Sequence, residues 1–239
     1  MSLCINNELL WVSIPRCASV SIENALVSSE LQIRFYKKQL FFDKGIHVHI
    51  QLKTLYEYFG LKESICIKRN PTERFVSGLE HWWWTMYFKG LNPIIPFSEI
   101  DNNFIYTHFT DDVINNMYTY EPFYASVSNN IDIEYINTKN YLNDYFSTIK
   151  GKKIDTYLPM LVMSQLFWTN NIKCTYEFDF KNINLFEEYI SDRYKINFQL
   201  EHLNSRNKSS TKIKIDDKFE NWIYDKFEKR FTNTQKKLI

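Results

Sequence analysis

Two arginines stand where an apolar strand-like run gives way to a helix-like one, and hydroxyl-bearing residues follow each. The first is Arg16 in LWVSIPRCASVSI (10–22), where Pro15 ends the apolar run and Cys17, Ala18, Ser19, Val20 and Ser21 follow. The second is Arg69 in SICIKRNPTERFVSGLEH (64–81), with Ser77 eight positions further on. A strand–loop–helix passage gathers backbone N–H groups and the positive end of a helix dipole, so anions collect there. Serine hydroxyls add donors, and a guanidinium adds a charge-assisted pair. In open α/β sheets ligands sit at the carboxyl ends of strands, where both arginines fall. Two separate anion grips call for a ligand with two separated phosphates.

The third group is His47 and His49, in GIHVHIQ (45–51). Imidazole suits a general base working near neutral pH, a contribution of roughly 10²–10⁴-fold. Alternate residues of an extended segment share a face, so the same pair has the spacing of two metal ligands. No third ligand lies at a helpful spacing, and no metal is expected.

Each group also has a plainer reading. Ser19 or Ser21 can cap a helix beside an ordinary surface Arg16. Either histidine can be a surface or hydrogen-bonded structural group. Trp82, Trp83 and Trp84 are consecutive on a helix and point about 100° apart, so one or two belong in the core. Another can reach a cleft edge and stack on a sugar or an adenine. Arg74 reads as a structural ion pair, Glu80 and His81 as fallback bases, and Asp111-Asp112 as a solvated loop or cap. Lys226, Lys229, Lys236 and Lys237 read as a solvated face.

The elements that would position these groups follow from pattern. Leu9–Ile14 and Ser64–Lys68 are short apolar runs of buried-strand type, and 173–180 alternates as a strand. Helical spacing covers Ser21–Val27, Gln51–Phe59 with Gly60 as its stop, and Thr72–Phe88 with Pro71 in the first turn. Further helices are expected at Asp155–Trp168, Leu185–Tyr194 and Asp216–Phe231. Residues 31–44 read as strand or irregular, 91–150 as loops and short helices, and 202–210 as a polar loop. Strands alternating with helices give an α/β class: a central, mainly parallel sheet flanked by helices in three layers.

Composition bounds the rest. The chain has 239 residues, 44% hydrophobic and 17% aromatic, enough for a substantial core in a single domain over 1–239. Lys and Arg (29) nearly cancel Asp and Glu (28), against the basic face of a nucleic-acid binder. The four cysteines are scattered without a CxxC pair, so reduced thiols are expected. The apolar run at Leu9–Ile14 is far too short for a leader or a membrane span. The expectation is a soluble, cytoplasmic protein with no membrane partner.

These motifs resemble the sulfotransferases, particularly the carbohydrate and heparan sulfotransferase-like branch. Ile14-Pro15-Arg16-Cys17-Ala18-Ser19-Val20-Ser21 is similar to that family's xPKTxSTS signature, with Arg16 in place of Lys and Cys17 in place of Thr. Lys68-Arg69-Asn70-Pro71-Thr72-Glu73-Arg74-Phe75-Val76-Ser77-Gly78-Leu79 is similar to VRNPxxRxxSxY. Glu177 to Ser210 is similar to the family's late strand–helix–loop with an "hLN" element, here His202-Leu203-Asn204.

The resemblance implies a P-loop-like fold and the donor 3′-phosphoadenosine 5′-phosphosulfate (PAPS), with 3′,5′-ADP as product and no metal. Arg16 and residues 17–21 would hold the 5′-phosphosulfate, Arg69 and Ser77 the 3′-phosphate. Arg206, Lys208 and Ser209 would close over the nucleotide. His49, with Leu55 at +6 and Gly60 at +11, resembles the branch's base pattern; His47 fits a different, gap-free spacing to Arg69. The implied acceptor is a hydroxyl of a carbohydrate or glycan-like molecule, and the aromatic middle of the chain would shape its pocket. Guanidinium neutralises charge but is a poor proton donor beside ammonium, so Arg16 reads as a charge stabiliser.

Two other classes fit part of this pattern. A P-loop phosphotransferase would need GxxxxGKS/T, which the chain lacks. A non-catalytic relative would bind 3′,5′-ADP, or a partner protein, without turnover.

Overall fold

The computed structural model describes residues 2–35, 51–88, 96–119, 162–201 and 211–229; of 84–88 and 116–119 it describes the backbone only. The chain divides into two compact units, residues 1–69 with 165–205 and residues 70–164 with 206–239.

The first unit is built on a five-stranded sheet of order β3-β1-β2-β4-β5. Strands β1 (Leu3–Ile5) and β2 (Leu9–Val12) form an antiparallel hairpin. Its turn holds Asn6 and Asn7 at φ 47° and 60°, a left-handed pair that asparagine tolerates and that suits a primed hairpin turn. Strand β3 (Ile33–Phe35) pairs antiparallel with β1. Strands β4 (Ser64–Lys68) and β5 (Tyr176–Asp179) extend the sheet in parallel, β2 to β4 to β5. The sheet is therefore mixed where a mainly parallel one was expected. The turn of Asn6 and Asn7 is too short for the crossover a parallel pair needs, so β1 must run antiparallel.

Register assigns the faces. Trp11 pairs with Ile65 and Ile65 with Tyr176, so the three share one face. Helix α7 (Ile183–Tyr194) covers that face: the Phe186 ring lies 5.6 Å from Trp11 and the Tyr189 ring 4.7 Å from Tyr176. Full burial of such side chains contributes roughly 1.5–3 kcal/mol each. Val12, Cys66 and Glu177 share the opposite face, as do Leu10 and Ser64. There the Tyr56 hydroxyl of α2 (Leu52–Phe59) shares a 2.8 Å hydrogen bond with Ser64 Oγ. Gly60, at φ 69°, ends α2 in the left-handed position that glycine fills without strain.

The second unit contains α3 (Pro71–Phe88), a 3₁₀ turn at Phe97–Glu99, α4 (Asn102–His108), α5 (Asp111–Thr119) and α8 (Asp217–Ile223). Phe75, Trp82, Phe109, Phe219 and Phe227 are buried together at its centre. Trp83 is buried as well. Asp101 and Asp216 cap α4 and α8 by accepting from Phe104 N and Phe219 N. Asp111, in the first turn of α5, pairs with Lys226 at 2.6 Å.

Two expected helices differ in detail. The helix expected over 155–168 is interrupted before α6 (Gln165–Thr169), and its part up to 161 lies outside the described residues. The cause is local. Arg74 is 1% exposed and donates to the carbonyls of Val162 and Met163, and the Ser164 hydroxyl donates to Glu228. Carbonyls taken by a guanidinium do not serve a helix. At the other end, α8 passes into a π turn over Tyr224–Glu228. The added residue of a π turn re-aims the side chains after it, and here Phe227 and Glu228 are both buried.

No described helix is long and apolar enough to cross a membrane. All four cysteines are buried free thiols.

Candidate functional site

The register of β2 and β4 brings the two predicted grips to one sheet edge. Val12 stands opposite Cys66 in parallel, so the chain leaves toward Arg16 and toward Arg69 on the same, carboxyl, side. After β2, the Cys17 amide donates to Ile14 O at 3.3 Å and closes a tight turn. Arg16 and Ala18 are both left-handed, at φ 66° and 57°, in a loop without glycine. Such a conformation costs a side-chain-bearing residue roughly 1–2 kcal/mol relative to glycine. Left-handed residues in a turn can shape backbone concavities of the kind that receive anions.

Helix α1 (Ser19–Ser28) begins directly after Ala18, whose carbonyl accepts from Ile22 N at 3.0 Å. The first amides of a helix have no partner within it, and the macrodipole adds positive potential. Ser19 is buried, while Val20 and Ser21 are half-buried. The base of the loop is fixed from inside: the Ser13 hydroxyl donates to the buried Glu23 carboxylate at 2.6 Å, and Ser13 N donates to Ser2 Oγ at 3.2 Å.

Arg69 follows β4 and is half-buried, with its guanidinium carbon 4.7 Å from the centre of the Phe180 ring. Phe180 opens the 3₁₀ turn Phe180–Asn182 that ends β5, so β5 supplies a cation–π platform for the cation that β4 delivers.

The segments that follow β2 and β4 meet at one side chain. Gln165 Oε1 accepts from Arg69 N at 2.8 Å and from Cys17 Sγ at 3.6 Å. Gln165 Nε2 donates to Arg69 O at 2.6 Å. The Gln165 amide thus continues the ladder one step beyond β4 and ties the loop after β2 to it. Two residues beyond Gln165, the Phe167 carbonyl accepts from Gln51 Nε2 at 3.1 Å. Gln51 is two residues along the chain from His49.

The motif around Arg69 divides into scaffold and site. Asn70 caps α3, its Oδ1 accepting from Thr72 N at 2.9 Å and Glu73 N at 3.0 Å. Pro71 occupies the first helical position, where its missing N–H costs nothing. Arg74 holds backbone carbonyls and Phe75 fills the core of the second unit. Lys68 pairs with Glu177 at 2.9 Å. Arg69 follows β4 in the first unit. Ser77 lies on α3, half-buried, in the second unit.

His47, His49, Arg206, Lys208 and Ser209 lie outside the described residues, as does 120–161 of the aromatic middle. Gln165, Phe180, Glu23 and Asn70 were not singled out in the sequence. A glutamine inside the apolar run LVMSQLFW was the one available signal for Gln165, because a buried amide needs partners.

Electrostatics elsewhere in the first unit are dominated by Arg193 of α7. It reaches Glu63 with two parallel bonds of 2.7 and 3.0 Å and Glu8 at 3.3 Å. The Arg193 hydrogen bonds hold the Glu63 carboxyl below its ordinary value. Burial pushes Tyr189 up to about 12. On the opposite face, hydrogen bonding with Cys174, then burial, pushes the Cys66 thiol up.

Comparison of the chain with protein-family models, with curated proteins and with solved structures finds no match.

Proposed function

We infer that the chain is a sulfotransferase that moves a sulfuryl group from PAPS to a hydroxyl of a carbohydrate or glycan-like acceptor. The observation that carries this reading is the Gln165 bridge, which joins the strained Arg16–Ala18 loop to Arg69 at one sheet edge. A ligand with phosphates at both ends of an adenosine uses both grips; a nucleotide with a single phosphate cluster uses one. The reading takes the sheet as P-loop-like, with β2, β4 and β5 as its parallel part.

In this account the amides of the first turn of α1, with Cys17, Ala18, Ser19, Val20 and Ser21, bind the 5′-phosphosulfate. Arg16 offsets charge building on the leaving phosphate. Arg69, with its guanidinium carbon 4.7 Å from the centre of the Phe180 ring, binds the 3′-phosphate. Positioning and charge stabilisation supply most of the acceleration in group transfers of this type. His49, or His47, takes the acceptor proton. The Gln51–Phe167 bond supports that assignment, since it ties the chain just after His49 to the helix that carries Gln165.

Titration calorimetry with 3′,5′-ADP, 5′-AMP and ADP tests the two-phosphate site without knowledge of the acceptor. His49→Ala is expected to lower turnover and spare donor affinity; full activity in that variant moves the base to His47 or elsewhere.

A further inference from the structure

Cys66 of β4, Cys174 just before β5 and Glu177 of β5 present one donor atom each, all within 4.8 Å of one another. None of the three belongs to the anion grips. The register pairs Cys66 with Glu177, so both project from the sheet face opposite α7. A bend at Thr175 brings Cys174 alongside. That bend is held at both ends: Ser64 N donates to Thr175 Oγ1 at 3.1 Å, Thr175 N to Ser64 Oγ at 3.4 Å, and Cys174 N to Glu177 Oε1 at 3.0 Å. Cys66 and Cys174 are 0% and 1% exposed.

We propose that Cys66, Cys174 and Glu177 form a binding site for a thiophilic dication of the zinc type, bridging β4 and β5. Two sulfurs and one carboxylate oxygen are a borderline-soft donor set, which zinc prefers and magnesium or calcium does not. Zinc–sulfur bonds of about 2.3 Å and zinc–oxygen bonds of about 2.0–2.2 Å set tetrahedral donors roughly 3.5–3.8 Å apart. The trio therefore needs to close by about 1 Å or less, a side-chain adjustment on two strands already in register. Water completes the fourth position.

Charge supports the same assignment. Two thiolates and a carboxylate carry three negative charges. A dication balances two of them, and the Lys68 ammonium, 2.9 Å from Glu177 Oε1, balances the third. Lys68 and the Cys174 amide both hold Oε1 and so fix the orientation of the carboxylate, as outer partners do for metal ligands. Binding releases both thiol protons to solvent and involves no change of oxidation state. The sulfuryl-transfer reading needs no metal. This cation would serve the sheet, fastening β5, whose end carries Phe180, to β4, whose end carries Arg69.

The test is a titration of the reduced full chain with Co²⁺ and then Zn²⁺. One equivalent of Co²⁺ is expected to give a thiolate-to-cobalt charge-transfer band that Zn²⁺ displaces. Cys66→Ser and Cys174→Ser are each expected to weaken binding by roughly 100-fold, Glu177→Gln by about tenfold, and Cys4→Ser not at all. Absence of the band in the unaltered chain, or its survival in the Cys66→Ser/Cys174→Ser double variant, overturns the proposal. Should the cysteine variants fail to fold, X-ray absorption on the zinc-loaded unaltered chain decides. Two sulfurs at about 2.3 Å are expected, and a shell of nitrogen and oxygen alone refutes the site.

Discussion

Gln165 grips both backbone polar groups of Arg69 with a single side-chain amide, accepting from its N–H at 2.8 Å and donating to its C=O at 2.6 Å. It thereby does for Arg69 what another strand would do, one residue beyond the last ladder pair of β4. Gln165→Ala leaves both groups without this partner in a half-buried setting. The expected loss is about 1–3 kcal/mol in urea unfolding, accompanied by weaker binding of 3′,5′-ADP. A change within the roughly 0.5 kcal/mol typical of a surface substitution would contradict the bridging role.

Ala18 meets the start of α1 in a left-handed conformation at φ 57°. Glycine adopts that conformation without a clash, so Ala18→Gly is expected to raise stability by about 1 kcal/mol. Thermal and urea unfolding measure it. If the alanine is instead retained because the loop must be stiff, nucleotide affinity falls in the same variant while stability rises. Loss of both stability and affinity would mean that the backbone there is not strained.

Arg74 is a buried cation of the second unit, spending hydrogen bonds on the carbonyls of Val162 and Met163. Arg74→Met keeps much of the side-chain volume and removes those donors. The expected destabilisation is about 1–3 kcal/mol, seen as a lower urea midpoint. An unchanged midpoint would show that those carbonyls find equivalent partners.

The Glu63–Arg193 pair predicts a pH dependence with a definite sign. The folded-state pKa of Glu63 is lowered from 4.5 by hydrogen bonds from Arg193. The stabilisation is therefore fully present above the ordinary glutamate value and is lost as pH falls through the lower folded value. Arg193 stays charged throughout, so no alkaline limb arises from it. Glu63→Gln should flatten the acid limb of a stability–pH curve below about 4.5 and leave the curve's shape near neutral pH unchanged. An acid limb identical to that of the unaltered chain would show that other carboxylates carry it.

Local pattern made much of the first unit legible. Ser64–Lys68 reads as a strand from its apolar run and is one to the residue. Gly60 and Pro71 mark an end and a beginning because their backbone preferences act locally. The strand–loop–helix over β2 and α1 was legible for the same reason, since it is contiguous in the chain. What escaped depends on distant partners. Asn6 and Asn7 were not read as a hairpin turn, and with them the antiparallel half of the sheet was lost. Gln165 lies 96 positions from Arg69, and no local rule connects them. The break at Met163 and Ser164 depends on Arg74 and Glu228, both remote in sequence. The RNP stretch reads as a ligand motif in sequence, yet Asn70, Pro71 and Arg74 each have a structural task in α3 or its surroundings.

The most direct measurement is a calorimetric comparison of 3′,5′-ADP with 5′-AMP on the unaltered chain and on Arg69→Ala. Gln165 holds the backbone of Arg69 and not its guanidinium, so the substitution spares the bridge. 3′,5′-ADP is expected to bind at least about tenfold tighter than 5′-AMP, roughly 1.4 kcal/mol, and Arg69→Ala to remove the difference. Equal affinity for the two nucleotides, or an advantage for 3′,5′-ADP that survives loss of the arginine, would contradict the two-phosphate reading.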